Sequence, residues 1–130
     1  MKERTRDLPK PTEFELDLLR ALWKRQSATV RELHEDLNKV RPLGYTSILK
    51  TLQIMTEKGL VQRRESGKAH IYSATASEEQ TQAQLIRDLS QRLFSGSAGQ
   101  LAMRALSMQK PSTAELQQVS ALIKRSKERR

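Results

Sequence analysis

Cysteine is absent from the 130 residues, which excludes disulfides and thiolate metal sites and fits a reducing cytoplasm. Histidine occurs only at His34 and His70, far apart in sequence, so neither has a metal-ligating neighbour. No apolar run approaches the roughly 20 residues that a membrane span needs, and insertion into a membrane is not expected. Met1 to Lys10 is charged and lacks the apolar stretch of a secretory signal. No glycine-rich phosphate loop precedes a helix, and no pair of carboxylates sits in an apolar setting. These absences leave no case for an enzyme, a cofactor or a metal centre.

Positive charge is what the chain has in excess. The formal net charge is +9 and the pI about 10.3, which points to a polyanionic partner. The excess is unevenly placed. Thr12 to Asn38 holds four Lys/Arg against six Asp/Glu, whereas Lys39 to Ala76 holds seven against two. Ser77 to Arg130 holds nine against five, with much of the excess in the tail after Ile123. Such a tail is usually a solvated, frayed end.

The middle segment contains the stretch that organises the rest, Gly44 to Gly59. Ile48, Leu52 and Met55 recur at i, i+4 and i+7 and form an inward helical stripe. Thr46, Lys50, Gln53 and Glu57 point the other way, with Ser47 and Thr51 on a flank. Gly59 stands where a left-handed stop is needed. A plain amphipathic helix with a solvated face has this pattern too, and is the commoner case. A short, polar, singly basic N-terminal face also suits a helix that enters the major groove with its first turns.

What surrounds the stretch favours the second reading. Residues 1–11 read as a flexible arm, with Pro9 and Pro11 blocking helix and Lys2, Arg4, Arg6 and Lys10 in reach of phosphates. Thr12 and Glu15 have capping-box spacing and open a first helix with Phe14, Leu18 and Leu22 in its stripe. Trp23, the lone tryptophan, reads as core. Ser27-Ala28-Thr29 breaks that helix, and Thr29 with Glu32 opens a second, Val30 to about Asn38, with His34 on its polar side. Two short helices, a turn and a polar-faced third helix make a helix-turn-helix. After Gly59 the period falls to about two, over Leu60 to Arg64 and Ala69 to Ser73, around the turn Glu65-Ser66-Gly67-Lys68. A basic hairpin directly behind a recognition helix is a wing, and Arg63, Arg64 and Lys68 would grip phosphates.

Residues 77–126 read as a second module of three helices, about Glu78 to Phe94, Ala98 to Met108 and Thr113 to Ser126, followed by a basic tail at 127–130. Ser77 with Gln80, Ser97 with Gln100 and Ser112 with Glu115 have capping-box spacing. The apolar stripes include Leu85, Leu89, Leu93 and Phe94, then Leu101 and Leu106, then Leu116, Val119 and Ile123. So small a helical module buries too little surface to stand alone. A second copy of the chain is the expected partner.

The run Tyr45-Thr46-Ser47-Ile48 through Glu57-Lys58-Gly59-Leu60-Val61, then Gly67-Lys68 and Tyr72, resembles the penicillinase-repressor (BlaI/MecI-type) family of bacterial transcription regulators. Pro11-Thr12-Glu13 and Trp23 fit as well, so the resemblance covers about Pro11 to Ser126. It implies a mainly α chain with a small β-hairpin: a winged helix-turn-helix domain over 12–76, then a three-helix dimerisation module. It also implies a homodimeric repressor on palindromic double-stranded DNA, with Thr46, Ser47, Lys50 and Thr51 facing the duplex and Lys68 in the wing. Some members are released when a membrane metallopeptidase sensor triggers cutting at an Asn-Phe bond; Arg104-Ala105 stands at the matching position here. A winged-helix module used for protein contact is the alternative, and the basic balance of Lys39 to Ala76 argues against it.

Overall fold

Thr12 and Glu15 cap each other: Thr12 Oγ1 accepts from the Glu15 amide at 3.2 Å, and Glu15 Oε1 accepts from the Thr12 amide at 2.9 Å. Two orphan donors are thereby satisfied and α1 (Glu13–Arg25) begins. Thr29 and Glu32 repeat the motif with the same distances and open α2 (Val30–Asn38). The computed structural model describes residues 8–129. Lys2, Arg4 and Arg6 of the expected arm therefore lie outside the described residues. Leu8 packs against the core, and the Gln84 amide donates to its carbonyl at 2.7 Å.

Between the first two helices the chain does more than break. Gln26 takes a φ of 75°, and Ala28 then exchanges two backbone hydrogen bonds with Tyr72, at 3.0 and 2.8 Å. Ala28 is in effect a one-residue third strand beside the hairpin.

α3 (Tyr45–Lys58) stops at Gly59, whose φ of 85° is the left-handed conformation that only glycine adopts cheaply. Its inward residues Ile48, Leu52 and Met55 are fully buried. Each contributes about 1.5–3 kcal/mol by leaving water. They meet Leu18 and Leu22 of α1, Leu33 of α2, and Leu60, Val61 and Tyr72 in one core. Leu60 belongs to this core rather than to the hairpin that follows.

β1 (Val61–Ser66) and β2 (Ala69–Ala74) pair antiparallel, from Val61 opposite Ala74 to Ser66 opposite Ala69. The expected four-residue turn is corrected to two residues, Gly67 and Lys68, because Glu65 and Ser66 stay in the ladder. Polar side chains do not end a ladder whose backbone groups still have partners. Gly67, with φ of 63°, fills the first central position that a tight two-residue hairpin turn reserves for glycine. Three helices with a hairpin behind the third form a winged helix-turn-helix.

Among the described residues, two short ion pairs join helices. Lys58 Nζ lies 2.7 Å from Glu15 Oε2, so one carboxylate both caps α1 and anchors the end of α3. The Glu15 side chain is only 4% exposed. Burial alone would raise its pKa, but the hydrogen bonds from Lys58 and Thr12 outweigh it and hold the carboxyl below its ordinary 4.5. Arg25 grips Asp36 of α2 with two nitrogens, at 2.6 and 3.0 Å. The Trp23 indole donates to the Ala76 carbonyl at 3.0 Å, tying α1 to the strand exit.

α4 (Glu78–Phe94), α5 (Ala98–Met108) and α6 (Thr113–Glu128) each start on a serine. Ser77 and Ser112 form complete capping boxes, while Ser97 Oγ accepts from the Gln100 amide. α6 runs two residues into the stretch read as tail. The chain divides into two compact units between Ile86 and Arg87, inside α4. Within the second unit, α5 and α6 have no buried residue at all.

Candidate nucleic-acid interface

The turn into α3 is pinned before the helix starts. Asn38 Oδ1 accepts from the Leu43 amide at 2.9 Å, and His34 Nε2 lies 2.8 Å from the Leu43 carbonyl. A carbonyl can only accept, so the ring carries its proton on Nε2. The same ring meets Tyr45 edge-on at 5.9 Å. His34 thus sets the direction in which α3 leaves the turn, a role that its place on the polar side of α2 did not signal.

α3 differs from the other described helices in lacking a side-chain cap, because its N-cap is Gly44. The first-turn amides therefore have no protein oxygen from a cap, and their positive dipole end is open to an anion. Thr46, Ser47 and Lys50 are exposed beside that end. Thr51 is half-buried, and its hydroxyl donates to the Ser47 carbonyl at 2.9 Å. Its proton is engaged within the helix, which leaves lone pairs and a methyl group outward. Gln53 and Ile54 continue the exposed face.

The hairpin separates two arginines that are adjacent in sequence. Successive strand residues face opposite ways. Arg63 sits opposite buried Tyr72 and shares its face, toward the helices; Arg64 sits opposite Ile71 on the other face. Both are exposed, as is Lys68 at the turn. Arg63 and Lys68 join Arg31, His70, Tyr45 and Gln53 around one cleft of about 490 Å³ between α2, α3 and the hairpin. Arg31 and His70 had no local signal: one is an ordinary exposed position in α2, the other an ordinary strand residue.

The residues expected to pair two chains are not covered within one. Leu89, Leu93, Leu106, Leu116 and Ile123 are exposed, Leu93 to 68%. Leu85, Phe94, Leu101 and Val119 are half-buried, and Leu85 falls on the first unit's side of the divide. Among the described residues no three His, Asp or Glu side chains are grouped as a metal site, and no helix is long and apolar enough to cross a membrane.

The fold recurs in a solved structure, "Solution structure of the DNA binding domain of the repressor BlaI". That structure superposes with a TM-score of 0.51 at 22% identity, over 57% of this chain and 90% of that one. "Transcriptional regulator BlaI" of Mycobacterium tuberculosis (strain ATCC 25618 / H37Rv) is 37% identical over 78 residues. That match spans 58% of this chain and 56% of the mycobacterial protein. The "Penicillinase repressor" of Bacillus licheniformis is 19% identical over 123 residues, 95% of this chain and 96% of that one. The family model described as Penicillinase repressor matches residues 11–125, nearly the whole length, and the chain belongs to that family.

Proposed function

We propose that this protein is a transcriptional repressor of the cytoplasm that binds double-stranded DNA as a homodimer. One observation carries the reading: an exposed, uncapped, hydroxyl-rich helix start stands beside a cationic hairpin on a single unit. In this reading Thr46, Ser47 and Thr51 offer oxygens and methyl groups to base edges, and Lys50 donates to guanine or phosphate. Arg63, Arg64 and Lys68 hold the backbone. Because Arg63 and Arg64 occupy opposite faces, they serve phosphates on different sides of the ribbon. The exposed leucines of α4 to α6 meet their copies in a second chain, and that pairing sets the spacing of two half-sites in a palindrome.

Two substitutions test the division of labour. Lys50→Ala is expected to lose about 1–3 kcal/mol on the selected duplex and to relax base preference. Lys68→Ala is expected to weaken binding equally on selected and scrambled duplexes, with the salt slope falling by about one. Gel shifts across a KCl series read both. Equal losses on both duplexes for both variants would refute the assignment, and salt-independent binding by the parent would favour a protein-contact module instead.

Arg104 and Ala105, the matching position for release by a membrane metallopeptidase, are exposed but lie inside α5. A protease acting there needs that turn of helix to open first.

A further inference from the structure

The cleft between α3 and the hairpin gathers three cations and a histidine from separate parts of the winged-helix unit. Arg31 comes from α2, Arg63 from β1, Lys68 from the turn and His70 from β2. Buried Val30 and Tyr72 line it as well, so its walls belong to the core and not to a mobile loop. None of the described lining residues is acidic. Glu65 sits opposite His70 in the ladder but does not line the cleft.

Duplex geometry says what such a space between a helix and a wing must hold. The major groove and the neighbouring minor groove are separated by one sugar-phosphate strand, which carries a charge every ~3.4 Å. A helix seated in the first groove and a hairpin tip at the second have to straddle that strand. We infer that the cleft seats this strand, and that Arg31 and His70 are phosphate-positioning residues beyond the wing cations. The inference rests on the DNA-binding reading above and adds the path of the strand to it. Arg31 matters most, because it is the one cation that α2 contributes to the cleft. It reaches the cleft from α2, whereas Arg63 and Lys68 reach it from the hairpin. It carries no base-reading role, so its loss weakens every sequence alike.

The experiment begins with the full-length protein selecting duplexes from a random pool. Failure to retain any duplex in a salt-dependent way sinks the DNA reading and this one together. With a selected duplex in hand, Arg31→Ala is measured beside Arg31→Lys over a KCl series, with Trp23 fluorescence and circular dichroism as the check of folding. The expected result for Arg31→Ala is about a tenfold loss and a salt slope smaller by about 0.9, with the preference for selected over scrambled DNA unchanged. Arg31→Lys should keep most of the slope. A scan of single methylphosphonates along one strand should find a position whose neutralisation weakens the parent but not Arg31→Ala. A folded Arg31→Ala with parental affinity and slope, while the parent binds with a steep slope, overturns this inference and leaves the DNA reading standing. Displacement of the duplex by millimolar inorganic phosphate at constant ionic strength would also overturn it, by assigning the cleft to a free anion.

Discussion

Lys58→Met is expected to destabilise the winged-helix unit by about 2 kcal/mol at neutral pH and by much less in acid. Removing one partner of a buried ion pair typically costs 3–5 kcal/mol, roughly, because the other charge is left uncompensated. Here Lys58 keeps 32% exposure, so water softens the loss. The pH dependence follows from the direction of the Glu15 shift. Its folded carboxyl lies below the ordinary 4.5 of the unfolded chain. The pair's contribution is therefore complete above the unfolded value and disappears as pH falls through the folded one. Without Lys58, only the Thr12 hydrogen bonds are left to oppose burial, so part of the downward shift is lost and the variant's deficit shrinks once the group is protonated. Urea unfolding followed by the single tryptophan, at neutral pH and near pH 3, checks this. A deficit of equal size at both values would mean that the lysine stem, not its charge, stabilises the end of α3.

Leu89→Asp is expected to raise the dimer dissociation constant by about 100-fold or more. A carboxylate forced into an apolar interface without a partner costs on the order of 3 kcal/mol, and each 1.4 is tenfold. Leu89 is 42% exposed in the single chain, so the substitution leaves the fold of the monomer largely untouched. Sedimentation at micromolar concentration should find the parent as a dimer and the variant as a monomer whose winged-helix unit remains folded. Affinity for a full palindrome should then collapse while affinity for one half-site changes little. A parent that sediments as a folded monomer would remove the second copy from the reading. It would leave the exposed leucines of α4 to α6 to a different partner.

Much of this architecture was legible residue by residue. Serine or threonine with an acid or amide three residues on marked five helix starts, and the hydrogen bonds at Thr12, Thr29, Ser77, Ser97 and Ser112 explain why: the signal is local and so is the bond. The i, i+4, i+7 stripe of α3 was readable for the same reason, since one face of a helix is set by neighbours in sequence. What stayed hidden depends on distant partners. Ala28 looked like a mere breaker because its partner, Tyr72, lies in the hairpin. Arg31 carried no mark of its own because the wing that faces it comes after α3. Arg63 and Arg64 read as one cluster, and only the register of the ladder sends them to opposite faces. Thr51 was placed on the flank of the helix, and its hydroxyl turns its proton back to the preceding turn, as threonine in a helix readily does.

The paired hydrogen bonds between Ala28 and Tyr72 have a mechanical consequence for how the wing meets its target. A lone two-stranded ribbon is marginally stable, and these bonds tie the middle of β2 to the segment between α1 and α2. Compliance is then left to the far end, Gly67 and Lys68. In the proposed complex, a duplex with a slightly wider or narrower minor groove would be met by adjustment at that tip, with the spacing between α3 and the clamped part of the hairpin held constant.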